Sequence, residues 1–165
     1  MEQEFDWISL EEGENVEWTG KPRIVSIIPA IFLGIMLLPL AGIGIVVMIA
    51  AYLQIKNTDF VVTNRGIYRK TGVLSRSVQK IGFEKIQNIS FSQGVLGNYF
   101  GYGDVDISTA GGSGIEMSFN SIENPKEIQE LINRRIHSEK DETRTKRELM
   151  VEILDEVRKI REALE

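Results

Sequence analysis

Apolar residues follow three different rules in succession along this chain. Residues 24–55 carry no charge for thirty-two consecutive positions, fenced by Arg23 and Lys56. Between Lys56 and Asn124 the apolar positions come in short alternating runs split by turn residues. Beyond Pro125 they recur every three or four residues. Each rule predicts a different kind of element.

The uncharged run predicts a membrane segment, because about 20 apolar residues cross the ~30 Å hydrocarbon core of a bilayer as a helix. It is broken in the middle. Pro39 removes an amide that a helix interior needs, and Gly42 and Gly44 follow closely. Splitting there predicts a transmembrane helical hairpin over 24–55, with arms of about fifteen residues, or ~23 Å each. A single kinked span and a buried core hairpin are the competing readings. Lys21 and Arg23 precede the run, while Lys56, Arg65, Arg69 and Lys70 follow it. Basic residues on both flanks predict a multi-pass protein of the cell membrane with both termini cytoplasmic. Trp18 and Tyr52 are candidate interfacial anchors. A cleaved signal peptide fits poorly, since 23 residues carrying seven acids come first and the apolar run is too long.

After the run, residues 59–63 are rich in β-formers and lead into Asn64-Arg65-Gly66, a hairpin turn. Residues 67–70, 73–81 and 85–93 continue as strands. In residues 103–109 and 114–119 the period is two: Val105, Ile107, Ile115, Met117 and Phe119 share the buried face, opposite Asp104, Asp106, Glu116 and Ser118. Gly111-Gly112-Ser113-Gly114 reads as the turn between them. Six or seven such strands in so short a stretch predict a small all-β barrel or sandwich. Asn124, Pro125 and Glu127 mark a helix start, and Ile128, Leu131, Ile132 and Ile136 form the stripe that should lie on the sheet.

The polar stretch 138–147 reads as a linker to a second amphipathic helix. There Met150, Ile153, Val157, Ile160 and Leu164 form an a/d seam, with Glu156 at g and Arg161 at the next e. The seam predicts self-association into a homo-oligomer; docking on the chain's own domain and a solvated helix are the alternatives. The resulting division is an acidic segment over 1–23, the hairpin over 24–55, the barrel with its capping helix over 56–137, and the linker plus coiled-coil-like helix over 138–165.

Charge changes this picture little. The net charge is −5 over 165 residues, and residues 1–23 hold seven acids against two bases. The remaining blocks are nearly balanced, so nucleic acid is not expected as a partner. The acidic head reads as a solvated tail. The chain has no cysteine, which excludes disulfides and thiolate metal sites.

Several short segments together resemble a known family. They are Trp18-Thr19-Gly20-Lys21-Pro22, Thr63-Asn64-Arg65-Gly66-Ile67-Tyr68, Thr71-Gly72, Ile86-Gln87-Asn88-Ile89, Gly101-Tyr102-Gly103-Asp104-Val105, Ser108-Thr109-Ala110-Gly111 and Asn124-Pro125. In this order, over about residues 14–137, the chain resembles the bacterial and archaeal pleckstrin-homology-like membrane proteins of the YdbS type. The resemblance implies a seven-stranded bent barrel capped by one helix and carried on a membrane hairpin. It does not imply a ligand. Eukaryotic namesakes bind phosphoinositides through a basic first hairpin loop, whereas here that loop has Arg65, with Arg69 and Lys70 behind it.

No catalytic constellation is legible. His137 is the only histidine, Gly111–Gly114 lacks the lysine of a phosphate loop, and Asp104 and Asp106 on one strand face read as its wet side. The expected function is therefore non-enzymatic and without cofactor: a membrane-anchored interaction module presenting its barrel to a protein partner. The alternative is a sensor of anionic lipid headgroups through Arg65, Arg69, Lys70, Arg76, Lys80 and Lys85. Leu96, Tyr99 and Phe100, in a glycine-spaced loop, are the candidate apolar contact points.

Overall fold

The alternating runs fold into two antiparallel sheets packed face to face, as a computed structural model describing residues 6–39, 42–73, 75–112 and 114–164. Leu40, Ala41 and Ser113, which took part in the readings above, lie outside the described residues. The first sheet has the order β1 (Val16–Gly20), β2 (Asp59–Thr63), β3 (Gly66–Thr71), β4 (Ser77–Gly82); the second has β5 (Ile86–Ser92), β6 (Tyr102–Thr109), β7 (Ile115–Glu123). Of the residues expected on the buried face, Val105, Ile107, Met117 and Phe119 are fully buried against Phe60, Val62 and Ile67, whereas Ile115 is exposed beyond a register shift at Ile107–Ser108. Phe119 and Ile122 are both buried although three residues apart. A bulge explains this: Gly103 and Val105 of β6 pair with Ile122 and Phe119 of β7, and Ser121 takes up the extra residue at φ 54°.

β1 corrects the reading of residues 1–23 as a detached acidic head. It pairs with β2, Trp18 opposite Val62 and Gly20 opposite Phe60, and so forms the outer strand of the first sheet. Trp18 stacks on Phe119 at 6.1 Å, and Phe119 on Phe60 at 4.6 Å. The Trp18 indole thus extends the core instead of serving as a membrane anchor. Because β1 and β2 are neighbours, both ends of the uncharged run leave the same edge of the barrel.

The run itself forms a 3-10 turn (Ile24–Ile27), α1 (Ile28–Met36) and α2 (Ile43–Lys56). The break falls where Pro39 and Gly42 place it, with Gly42 at φ 78° opening α2. The two helices touch through Gly34 and Gly44, and a Cβ on Gly44 would overlap the Gly34 carbonyl oxygen. The expectation of two membrane-crossing arms is corrected. α1 has 9 residues and α2 has 14, or about 14 and 21 Å of helix against a ~30 Å core. No helix among the described residues is long and apolar enough to cross a membrane.

The C-terminal region is also corrected. Residues 138–147 are not a linker, because α4 (Pro125–Leu164) runs unbroken for 40 residues. Its first turns bury Ile128, Ile132 and Ile136 against the barrel core. Every residue from 140 to 159 is exposed; the helix borders clefts beside the barrel as far as Arg147 and then projects past it.

Candidate interaction surfaces

The Thr63-Asn64-Arg65-Gly66 turn is the anchor of the basic face. Gly66 is required there, since a Cβ would lie 2.6 Å from the Ile81 carbonyl oxygen. Thr63 is fully buried, and its hydroxyl accepts from the Arg65 and Gly66 amides while donating to Glu14 Oε1 at 2.7 Å. Asn64 accepts from the Asn15 amide at 2.8 Å and donates to the Gly13 carbonyl at 3.1 Å. The turn is thereby a clamp for residues 11–15 of the acidic segment.

That segment neutralises the face the sequence reading took as basic. Glu11 bridges Arg65 and Lys80, both at 2.9 Å. Glu14, only 5% exposed, accepts from the Tyr68 hydroxyl at 2.8 Å and lies 3.5 Å from Lys80 Nζ. Lys70 pairs with Asp59 at 3.0 Å and stands 5.2 Å from the Trp7 ring. The charges answer accordingly. Hydrogen bonds from Lys80 and Arg65 hold the Glu11 carboxyl below the ordinary carboxylate range. Burial works to raise Glu14, but hydrogen bonds from Thr63, the Glu11 amide and Tyr68, with the Lys80 charge, bring it lower on balance. The Tyr68 hydroxyl and the Glu11 carboxylate push the Lys80 ammonium up, and burial raises the Tyr68 phenol. Glu11, Glu14 and Tyr68 are the members of this face that sequence reasoning missed. The one signal for them was the clamp turn, which was read as a hairpin alone.

The six candidate bases do not form one free patch. Arg65, Lys70 and Lys80 are paired, while Arg76 and Lys85 stand exposed. Arg69 is different again. It reaches from β3 across to the second sheet, donating to the Ser118 carbonyl at 3.4 Å and to the Gln79 side chain. It makes no ion pair among the described residues, and its Nε is buried without an acceptor.

Leu96, Tyr99 and Phe100 sit on a short helix, α3 (Val95–Phe100), instead of an irregular loop. Val95 is 90% exposed and Tyr99 83%, and the Tyr99 and Phe100 rings meet edge to face at 4.9 Å. On α4, Met150, Ile153 and Val157 are exposed together with Leu149 and Leu154, forming a broad apolar stripe. The side chains of Ile160 and Leu164, the last two seam positions, lie outside the described residues. The paired carboxylates serve internally: Asp104 accepts from the Ser121 amide at 2.7 Å, and Asp106 accepts from the Ser118 hydroxyl. His137 contacts the Asn133 carbonyl at 2.8 Å on the exposed side of α4.

Two antiparallel sheets closed by a C-terminal helix now stand beside the comparison with family models. The model of the bacterial PH domain matches residues 15–136. The chain belongs to the bacterial PH domain family. The match starts one residue before β1 and ends at Ile136, the last α4 residue buried against the barrel. It therefore includes the α1–α2 hairpin and leaves the projecting part of α4 outside. A PH-like domain of this kind is an interaction module for protein or lipid. Comparisons with curated proteins and with solved structures returned no match.

Proposed function

We propose that this bacterial PH-domain protein is a non-enzymatic interaction module anchored at a membrane surface. One observation carries the reading: α1 and α2 are apolar on every side. Phe32 and Met36 on α1, and Ile43, Val46 and Ile49 on α2, are all more than half exposed, with no charge between Arg23 and Lys56. A helix that is apolar all round belongs in lipid or in a protein core, and here no core covers it. At about 21 Å the hairpin passes the midplane of one bilayer and stops short of the far side. This is insertion from one face, with the barrel left at the headgroup level and its basic flanks, Lys21, Arg23 and Lys56, on the cytoplasmic side. The resemblance to YdbS-type membrane proteins supports the same placement.

The barrel then presents surfaces to a partner: the exposed α3 residues Leu96 and Tyr99 with the half-buried Phe100 beside them, and the projecting stripe of α4, which we assign to pairing with a second copy. A sensor working through the whole basic face is less favoured, because Arg65, Lys70 and Lys80 already hold carboxylates. Flotation of the full-length protein with phosphatidylcholine vesicles tests the anchor. The wild type should float and resist a salt wash. The F32D/V46D variant, altered only at exposed hairpin positions, should remain at the bottom of the gradient. Equal flotation of both proteins would overturn the hairpin as the anchor.

A further inference from the structure

Where the hairpin meets the barrel there is a cavity of about 430 Å³ that neither the basic face nor the α4 stripe uses. Its size falls in the ~300–1,000 Å³ range of small-molecule sites. One wall is the base of the hairpin, formed by Ile27, Ala30, Ala51 and Ile55. The opposite wall is barrel, and it carries Arg69, Thr71, Asn120 and Ser121. Among the described residues no aspartate or glutamate lines the space, and Arg69 is the one charged residue there.

The polar groups here are under-used. Arg69 is held by the Gln79 side chain and by a long 3.4 Å bond to Ser118, and its buried Nε has no acceptor. A guanidinium carries five N–H donors, so these two bonds leave others for an incoming acceptor. Ser121 is held in the left-handed region at φ 54°, fixed by Asp104 on its amide and by the Arg23 amide on its carbonyl at 2.7 Å. Strain of this kind is tolerated where the surroundings over-determine it, and it clusters at ligand sites. Gln54, at the end of α2, adds an amide on the hairpin side.

We propose that this cavity binds the phosphodiester headgroup of an anionic phospholipid. Arg69 takes the phosphate, since a guanidinium matches two phosphate oxygens at once. The Gln54, Thr71 and Asn120 side chains supply neutral donors for the remaining oxygens and headgroup hydroxyls. The acyl chains leave along Ile27, Ala30, Ala51 and Ile55 and continue over the exposed apolar surface of the hairpin. The same lining selects against zwitterionic lipid: a choline or ethanolamine cation would meet one arginine and, among the described residues, no carboxylate. The site lies on β3 and the hairpin base, away from the Asn64–Arg65 turn where the acidic segment docks. It rests on the hairpin being inserted, which places the cavity at headgroup depth.

The test uses full-length protein in neutral detergent micelles, melted with added short-chain phosphatidylglycerol or short-chain phosphatidylcholine. Near saturation, phosphatidylglycerol should raise Tm by about 3–5 °C, and phosphatidylcholine should not. R69Q should abolish that shift, R69K should restore part of it, and R144Q, an equal charge loss on the projecting helix, should keep it whole. An unchanged shift in R69Q, or an equal shift from both lipids, would overturn the headgroup site. A matching, Arg69-dependent shift from soluble glycerol phosphate would do so too, because it assigns the cavity to a free phosphate ester. None of these outcomes depends on flotation with neutral vesicles, so failure of the anchor and failure of the headgroup site are separately visible.

Discussion

Glu14 shows how one side chain decides the character of a surface. A carboxylate alone would not stay buried, since removing a charge from water is costly unless it is paired and hydrogen-bonded. Thr63, Tyr68 and the Glu11 amide supply the bonds, and Lys80 the charge. Glu11 completes the arrangement from the exposed side. Both carboxyls sit below their ordinary value of 4.5 in the folded protein. A group lowered in this way contributes stability that is fully present above its unfolded value and is lost as pH falls through the folded one. Docking of residues 11–15 should therefore be constant near neutrality and fail only in acid, below 4.5. The Glu11 amide, which donates to Glu14 Oε2 at 3.1 Å, is the reporter for NMR of the protein in micelles. Its resonance should titrate with a midpoint below 4.5 and move toward a solvent-exposed position. A midpoint at or above 4.5 would count against the docked segment.

Among the elements, α4 is where sequence and structure differ most instructively. The apolar period pauses over residues 138–147, and a pause in the stripe reads as a linker. Yet those residues contain neither glycine nor proline, and glutamate, lysine and arginine are good helix formers. The helix continues on backbone propensity and on pairs such as Arg144–Glu148 at 2.9 Å. The stripe reports burial, and burial ends at Ile136; the helix does not. The lack of cysteine makes this testable with spin labels at H137C and R158C. A continuous helix places them about 32 Å apart with a narrow distance distribution. A broad distribution centred well below that would restore the linker. Elsewhere local pattern served better. The alternation of β6 and β7 and the break at Pro39 were legible because each depends on neighbours in sequence. The docking of Glu14 on Tyr68, 54 positions away, left no local trace. The apolarity of 24–55 was legible but the helix lengths were not, since the break and the 3-10 turn shorten the two arms to 9 and 14 residues.

At the scale of the molecule, the apolar hairpin and the α4 stripe lie in separate parts of the chain, and only the hairpin is inside the family match. Leu149, Met150, Val151, Ile153, Leu154 and Val157 are each more than half exposed within nine residues of one helix. A monomeric protein seldom leaves such a contiguous patch in water. Pairing two copies in parallel covers the a and d positions and brings Glu156 of one copy toward Arg161 of the other, an opposite-charge g–e contact. An antiparallel pair loses that contact and would set the two barrels at opposite ends. The parallel arrangement keeps both barrels and both hairpins at one end, so the proposed anchor would gain the strength of a bivalent attachment. V157C isolates this geometry, because in a parallel dimer its two copies face each other across the seam. Under oxidation the full-length V157C protein should convert to a disulfide-linked dimer. D155C, on the outer face, should not, and adding I153D to V157C should reduce the yield several-fold. Equal crosslinking of V157C and D155C would mean random collision and would remove the seam.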